Sequence, residues 1–443
     1  MKEHKRIKLL SILASLVIII LFACVLIAAY AMTKAAPASQ ELVQRGAYLA
    51  RAGDCIACHT TSKGKPYAGG APIATPMGVI YSTNITPDLE TGIGHYSLDN
   101  FVKVMREGVT EDGDYLYPAM PYTSYAKVSR EDLSALYAYF MQGVEPVRQP
   151  NHQTKFRWPL SIHSIMVVWN ALYLKKGEYA ADANKSVSWN RGAYFVQGLG
   201  HCGGCHTPRG VLGKEKAYSE KDGRKYLSGA ELDNWYALPL TGNRKTGLNA
   251  WSKDEIAEYL RTGRTERVGA VGMMAGVVAK STQYLTDQDL MAIAEYLKSL
   301  PPSNGEDKDS ADSAIQASKT SAATHALSVG DTGMRGSRVY LDNCNACHRS
   351  DGSGVKRTFP NLVKNEAVNA KDPISLIHIV LAGGAMPSTQ TVPSTFVMPD
   401  FGWRLSDEEV ADVLSFIRGS WGNHAAAVSH DEIGRVRKAL ADQ

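Results

Sequence analysis

Three copies of Cys-x-x-Cys-His, at Cys55/Cys58/His59, Cys202/Cys205/His206 and Cys344/Cys347/His348, constrain this chain more than any other feature. Two thiols one helical turn apart reach the two vinyl groups of one porphyrin, and the adjacent imidazole then meets the iron from the same face. Each copy therefore reads as an attachment site for a c-type haem. A single copy would leave half a zinc site or a redox pair as the less favoured alternative, since both chemistries use the same ligands. Three copies argue against that. Six of the seven cysteines lie in the motifs, and the seventh, Cys24, lies in an apolar N-terminal run. A zinc ribbon needs a second Cys-x-x-Cys close downstream, and here the next pair lies well over a hundred residues away. The cofactor expected is three covalently bound haem c groups, attached outside the cytoplasm.

Export is written at the N-terminus. Lys2, Lys5, Arg6 and Lys8 precede an apolar stretch from Leu9 to Ala31, and that basic flank should stay in the cytoplasm. The stretch is long enough to span a bilayer, yet Ala29-Tyr30-Ala31 offers a cleavage site, so residues 1–34 read as either an anchor or a signal peptide. Residues 1–8 contribute three of the four net positive charges, leaving +1 for the rest. No basic footprint for nucleic acid exists. Haem propionates would turn the exported part mildly acidic, which suits a protein partner and a membrane.

An internal repeat sets the domains. Each copy opens with a helix carrying an aromatic residue: Arg45-Gly46-Ala47-Tyr48, Arg191-Gly192-Ala193-Tyr194 and Gly336-Ser337-Arg338-Val339-Tyr340. Each closes with a helix whose start resembles a capping box, Ser129-x-x-Asp132, Thr286-x-x-Asp289 and Ser406-x-x-Glu409, followed by apolar residues at helical spacing such as Leu133, Leu136, Tyr137 and Phe140. The expected fold is mainly α: three tandem class I cytochrome c domains at 40–145, 189–301 and 336–421, preceded by one apolar N-terminal helix. A connector at 146–188 and a flexible linker at 302–335, poor in aromatics, join them, and a tail runs over 422–443. Domains this small have a limited apolar core, which the porphyrin would complete. Gly69-Gly70-Ala71-Pro72 and Thr75-Pro76-Met77-Gly78 read as loops wrapping that flat ligand rather than as regular structure.

A methionine is expected as sixth iron ligand where a high potential is needed. Met120 lies 12 residues before Asp132, Met274 lies 15 before Asp289 and Met398 lies 11 before Glu409, whereas Met386 is out of step at 23. Met273 stands beside Met274, and the sequence does not choose between them. His95, His152, His163 and His378 have no counterparts in the other copies and read as surface or packing residues, and His201 as a neighbour of its motif rather than a ligand. Met-ligated irons leave no open position for a self-sufficient peroxidase.

Two further segments carry apolar residues. Trp158 to Leu174 is too polar and too short for a membrane span, and reads as a helix packed between the first two domains or against a partner subunit in preference to membrane contact. Ile433, Val436 and Leu440 make a narrow stripe that fits either an interfacial helix or a solvated tail.

Taken with Arg45 to Thr60, Tyr117 to Tyr122, Arg191 to Arg209, Ser228 to Trp251, Thr282 to Pro301 and Met398 to Asp407, the motifs make the chain resemble the three-haem cytochrome c subunits of membrane-bound bacterial dehydrogenases, such as gluconate 2-dehydrogenase and quinohaemoprotein alcohol dehydrogenase. That resemblance implies that Cys55, Cys58, Cys202, Cys205, Cys344 and Cys347 hold the haems. By the same likeness His59, His206 and His348 are proximal ligands and Met120, Met274 and Met398 distal ones. It implies a flavoprotein or quinoprotein catalytic subunit as partner, leaves room for a small third subunit, and places the chain on the periplasmic face of the cytoplasmic membrane, reducing ubiquinone. The compact chain is closer to the gluconate type than to the longer alcohol dehydrogenase subunits. The chain itself shows no dinucleotide fingerprint and no nucleophile triad, so it reads as a non-catalytic subunit. The competing reading is a freestanding periplasmic relay to a terminal oxidase or peroxidase.

Overall fold

The computed structural model describes residues 38–75, 78–156, 165–210, 212–242, 247–303 and 318–441. The N-terminal segment with Cys24, and His163, lie outside them. The described chain is mainly helical. Three times it builds the same crossing of an opening and a closing helix: Gln40–Ala52 with Arg130–Gln142, Val187–Gln197 with Asp287–Lys298, and Ser337–Asn343 with Asp407–Gly419. A glycine lets the two backbones touch each time. A methyl group on Gly46 would lie 1.9 Å from Ala135 O, on Gly192 2.0 Å from Ala292 O, and on Gly336 2.2 Å from Asp412 O. Each of those carbonyls belongs to the sixth residue after the closing helix's cap, Ser129, Thr286 or Ser406.

Those caps differ in a way that serves assembly. Ser406 and Glu409 form a reciprocal capping box. At Ser129 and Thr286 only the hydroxyl half forms, because the carboxylates of Asp132 and Asp289 are engaged elsewhere. Asp132 accepts from Arg45 of its own unit and from Tyr194 Oη of the next, and Asp289 accepts from Arg191 of its own unit and from Tyr48 Oη of the first. Units one and two are thus joined by one contact made twice, in opposite senses. Their cores interlock likewise: Ala52 is buried in the second core and Leu199 in the first. Since a hydrogen bond to a charged acceptor is worth about 1.5–3 kcal/mol, Tyr48→Phe is expected to lower stability to denaturant by about that much. A midpoint unchanged from wild type would show that the junction does not depend on this bond.

The third unit docks on the second. Trp235 stacks on His378 with centroids 4.0 Å apart, Trp251 Nε1 donates to buried Glu366 at 2.8 Å, and Tyr236 N donates to Ser375 Oγ at 2.7 Å. His378 is therefore a packing residue.

Three segments differ from their sequence-based expectations. Pro72–Thr75 pairs antiparallel with Gly78–Tyr81, extended by Lys155–Phe156, while Pro76 and Met77 of the expected loop lie outside the described residues. The β-branched Ile73, Val79 and Ile80 suit a pleated pair, which outweighs the flanking Gly and Pro. Within the stretch expected to be a flexible linker, Ala322–Ser328 is a helix capped by Ser321 Oγ, and Ala323 and Leu327, four residues apart on one face, are buried in the third core. The C-terminal helix His430–Ala441 is neither a solvated tail nor an interfacial helix, because Ile433 and Val436 are buried in that same core. No helix among the described residues is long and apolar enough to cross a membrane.

Candidate haem sites

Each motif forms one tight helical turn just beyond its opening helix: Cys55–Cys58, Gly203–His206 and Asn345–His348. The backbone bends sharply into the first two, with Asp54 at φ 50° and His201 at φ 35°, both in the left-handed region. His201 is packed between units one and two, edge-on to Tyr125 with centroids 5.8 Å apart. None of the six described cysteines is in a disulfide. Burial pushes the Cys55, Cys202 and Cys344 thiols up to about 12.

All three motif histidines are held alike. His59 Nδ1 lies 2.7 Å from Thr83 O, His206 Nδ1 2.7 Å from Leu238 O and His348 Nδ1 2.9 Å from Pro360 O. A carbonyl can only accept, so each Nδ1 carries the proton and each Nε2 keeps its lone pair for a metal. Burial holds all three imidazoles below their ordinary value, partly opposed by the carbonyl bond. Neutral, oriented and free at Nε2, they fit an axial iron ligand. A zinc tetrahedron fits less well, because among the described residues no three His, Cys, Asp or Glu side chains converge. The carbonyl partners carry no side-chain signature, and sequence reasoning did not find them.

Downstream of each motif a second repeat precedes the candidate methionine. The helices Leu98–Glu107, Lys253–Thr262 and Ile374–Ala382 each end at a glycine of positive φ, Gly108, Gly263 or Gly383, at 65°, 70° and 69°, the first two in the left-handed helical conformation. Antiparallel pairing follows at once: Val109 with Tyr115, Arg264 with Gly269, Gly384 with Met398. Met120 is five residues past Tyr115 and Met274 five past Gly269. Met398 sits in the returning strand itself, after a longer loop. Cys55 and Met120 pack against one apolar cluster, Cys344 and Met398 against another, while Cys202 and Met274 pack against two different clusters, both of which Tyr259 also packs against. Met273 is 40 % exposed and turned from that cluster.

The longer loop explains Met386. Buried at the junction with unit two, it lies so close to Gly269 that a methyl there would be 2.3 Å from its Cε, and Pro387 similarly fills the space beside Gly263. Arg264 hydrogen-bonds Ser394 O and lies over the Phe396 ring, 4.9 Å from its centroid. Met386 clamps two units together.

Comparison with known proteins agrees. The cytochrome c family model matches residues 191–301 and 333–421. The gluconate 2-dehydrogenase cytochrome c subunit of Pantoea cypripedii is 48 % identical over 408 residues, 90 % of each chain. The cytochrome c subunit of the quinone alcohol dehydrogenase of Gluconobacter oxydans (strain 621H) is 46 % identical over 90 % of this chain and 83 % of its own. The fructose dehydrogenase cytochrome subunit of Gluconobacter japonicus is 38 % identical over 91 % and 85 %. With likeness of this extent, the chain belongs to the cytochrome c family, among the electron-transferring cytochrome c subunits that include these three relatives.

Proposed function

We propose that the chain carries three haem c groups, one per helix crossing, and relays electrons from the catalytic subunit of a membrane-bound dehydrogenase to ubiquinone on the periplasmic face of the cytoplasmic membrane. The observation that carries the count is the first unit. Lying outside the segments matched by the family model, it has the same glycine crossing, the same histidine-to-carbonyl bond and the same methionine register as the second. In this reading 40–145, 189–301 and 336–421 are three tandem class I cytochrome c domains. Cys55 with Cys58, Cys202 with Cys205 and Cys344 with Cys347 supply the thioether bonds, His59, His206 and His348 the proximal nitrogens, and Met120, Met274 and Met398 the distal sulfurs.

Haem c, when bound, supplies a one-electron iron couple. The chain's residues set what that couple does: the carbonyls of Thr83, Leu238 and Pro360 fix imidazole orientation, the methionine sulfurs favour a high potential, and apolar packing excludes water. A dehydrogenase delivers two electrons and a quinone takes two, so several one-electron sites bridge the mismatch. Gluconate 2-dehydrogenase is the preferred type of partner, with other sugar acids, polyols and alcohols as the wider class, and a small third subunit is accommodated.

A pyridine haemochrome assay on the mature chain should give three haems, and the pair Cys55→Ala with Cys58→Ala should give two. Two in the wild type would remove the first site. A deletion strain should lose quinone-linked oxidation of the donor, while the isolated chain oxidises none. Normal oxidation in that strain would leave the freestanding relay.

A further inference from the structure

The helix Ile165–Tyr173 is built inside out for a helix in water. Its inward arc holds Met166, Trp169 and Tyr173 together with its one amide side chain, Asn170, which accepts from Tyr122 Oη at 2.8 Å and donates to Glu107 O at 2.9 Å. Its outward arc is Ile165, Val167, Val168, Ala171 and Leu172, every one exposed, Val168 by 59 % and Leu172 by 64 %. A surface helix ordinarily carries its polar residues on that side. Leu212, 58 % exposed, continues the patch, its carbonyl held by Trp169 Nε1 at 3.0 Å. A contiguous apolar patch rimmed by polar groups marks a docking surface.

Chemistry selects the occupant. The outward arc offers no hydrogen-bonding side chain, whereas protein interfaces carry about one hydrogen bond per 100–200 Å². Hydrocarbon asks for none. At about 1.5 Å per residue the described helical residues span roughly 14 Å, under half the ~30 Å of a bilayer core, and no helix among the described residues is long and apolar enough to cross. Lys175 and Lys176 lie just past its C-terminal end, each mostly exposed although ion-paired to Asp222 and Glu107, and Lys214 places its ammonium 5.1 Å over the ring of the helix's Tyr173. An apolar face rimmed by lysines is complementary to anionic headgroups.

We infer that the helix Ile165–Tyr173 is an in-plane seat on an anionic lipid surface. Its inward face packs on the cluster that includes Tyr117, Tyr122 and Met120, so the seat brings the first haem site beside the bilayer. The lipid contact rests on geometry alone. The consequence, that electrons leave to quinone next to Met120, rests on the quinone reading above.

Two experiments on the full complex in its native membrane separate these. A benzophenone-bearing amino acid at position 168 should cross-link to phospholipid and give an adduct of lipid mass; cross-linking to the catalytic subunit instead would overturn the seat. The double variant V168D/L172D, altered only at exposed positions, should keep its haems and its rate with a water-soluble short-chain quinone while losing at least tenfold with membrane ubiquinone. Equal rates with both quinones in the variant would overturn the electron exit beside Met120. A wild-type complex that reduces neither quinone, with the lipid cross-link intact, would instead overturn the quinone reading and leave the seat standing.

Discussion

Gly192→Ala is expected to destabilise the second unit by about 2 kcal/mol or more, although by helix propensity alone it should stabilise. Alanine is better than glycine inside a helix by roughly 1 kcal/mol. Against that, the new methyl would lie 2.0 Å from Ala292 O and 2.9 Å from Tyr296 Cβ. Overpacking costs about 1–3 kcal/mol where side chains can give way. Here the obstacle is a backbone carbonyl inside the closing helix, so the two helices must part along their length. Gly276→Ala is the matched control: it also lies within a helix, Gly272–Lys280, but nothing stands within 4 Å of its methyl, so it should gain up to about 1 kcal/mol. Denaturant unfolding of the holo protein reads both. Equal midpoints for the two variants would mean that the crossing tolerates a Cβ and that the repeated glycine has another cause.

Those glycines also show what the amino-acid string carries and what it leaves out. Gly46, Gly192 and Gly336 recur nine, ten and eight residues before their motifs, and caps recur at each closing helix, so the helix crossings are legible from spacing alone. The pairing of units one and two was legible in principle. Only their copies combine tyrosine two residues after the glycine with aspartate at the third helical position, Tyr48 and Tyr194 with Asp132 and Asp289, whereas the third has Arg338 and Glu409. The reciprocal bonds use those differences. Other features have no local signal. The acceptors for the three histidines are main-chain carbonyls 24, 32 and 12 residues downstream, which any residue type could supply. Met386 has the composition of a ligand loop, Met followed by Pro, and only its contacts with Gly269 show it to be a clamp. The outward face of the connector helix needed the inward one to be known first, because a short apolar helix reads the same whether buried on one side or both.

Met274→Ala is expected to convert one haem of the three to a high-spin or water-ligated form, removing about a third of the low-spin absorbance, while Met273→Ala leaves the complement intact. The sequence could not separate these neighbours. Successive residues on a helix point about 100° apart, so within Gly272–Lys280 only one of them can face the site. Met274 is partly buried against the Tyr259 cluster and repeats the register of Met120, five residues past the bridging position, whereas Met273 faces outward. Methionine ligation raises the potential, so its loss should lower that of the second site. For a one-electron couple about 59 mV shifts the equilibrium tenfold. The second unit contacts both of the others, which makes a lowered potential there expensive for transfer through the chain. Optical spectra of both variants with their attached haem counts decide the matter: a full low-spin complement in Met274→Ala would reassign the ligand, and its loss in Met273→Ala would name the replacement.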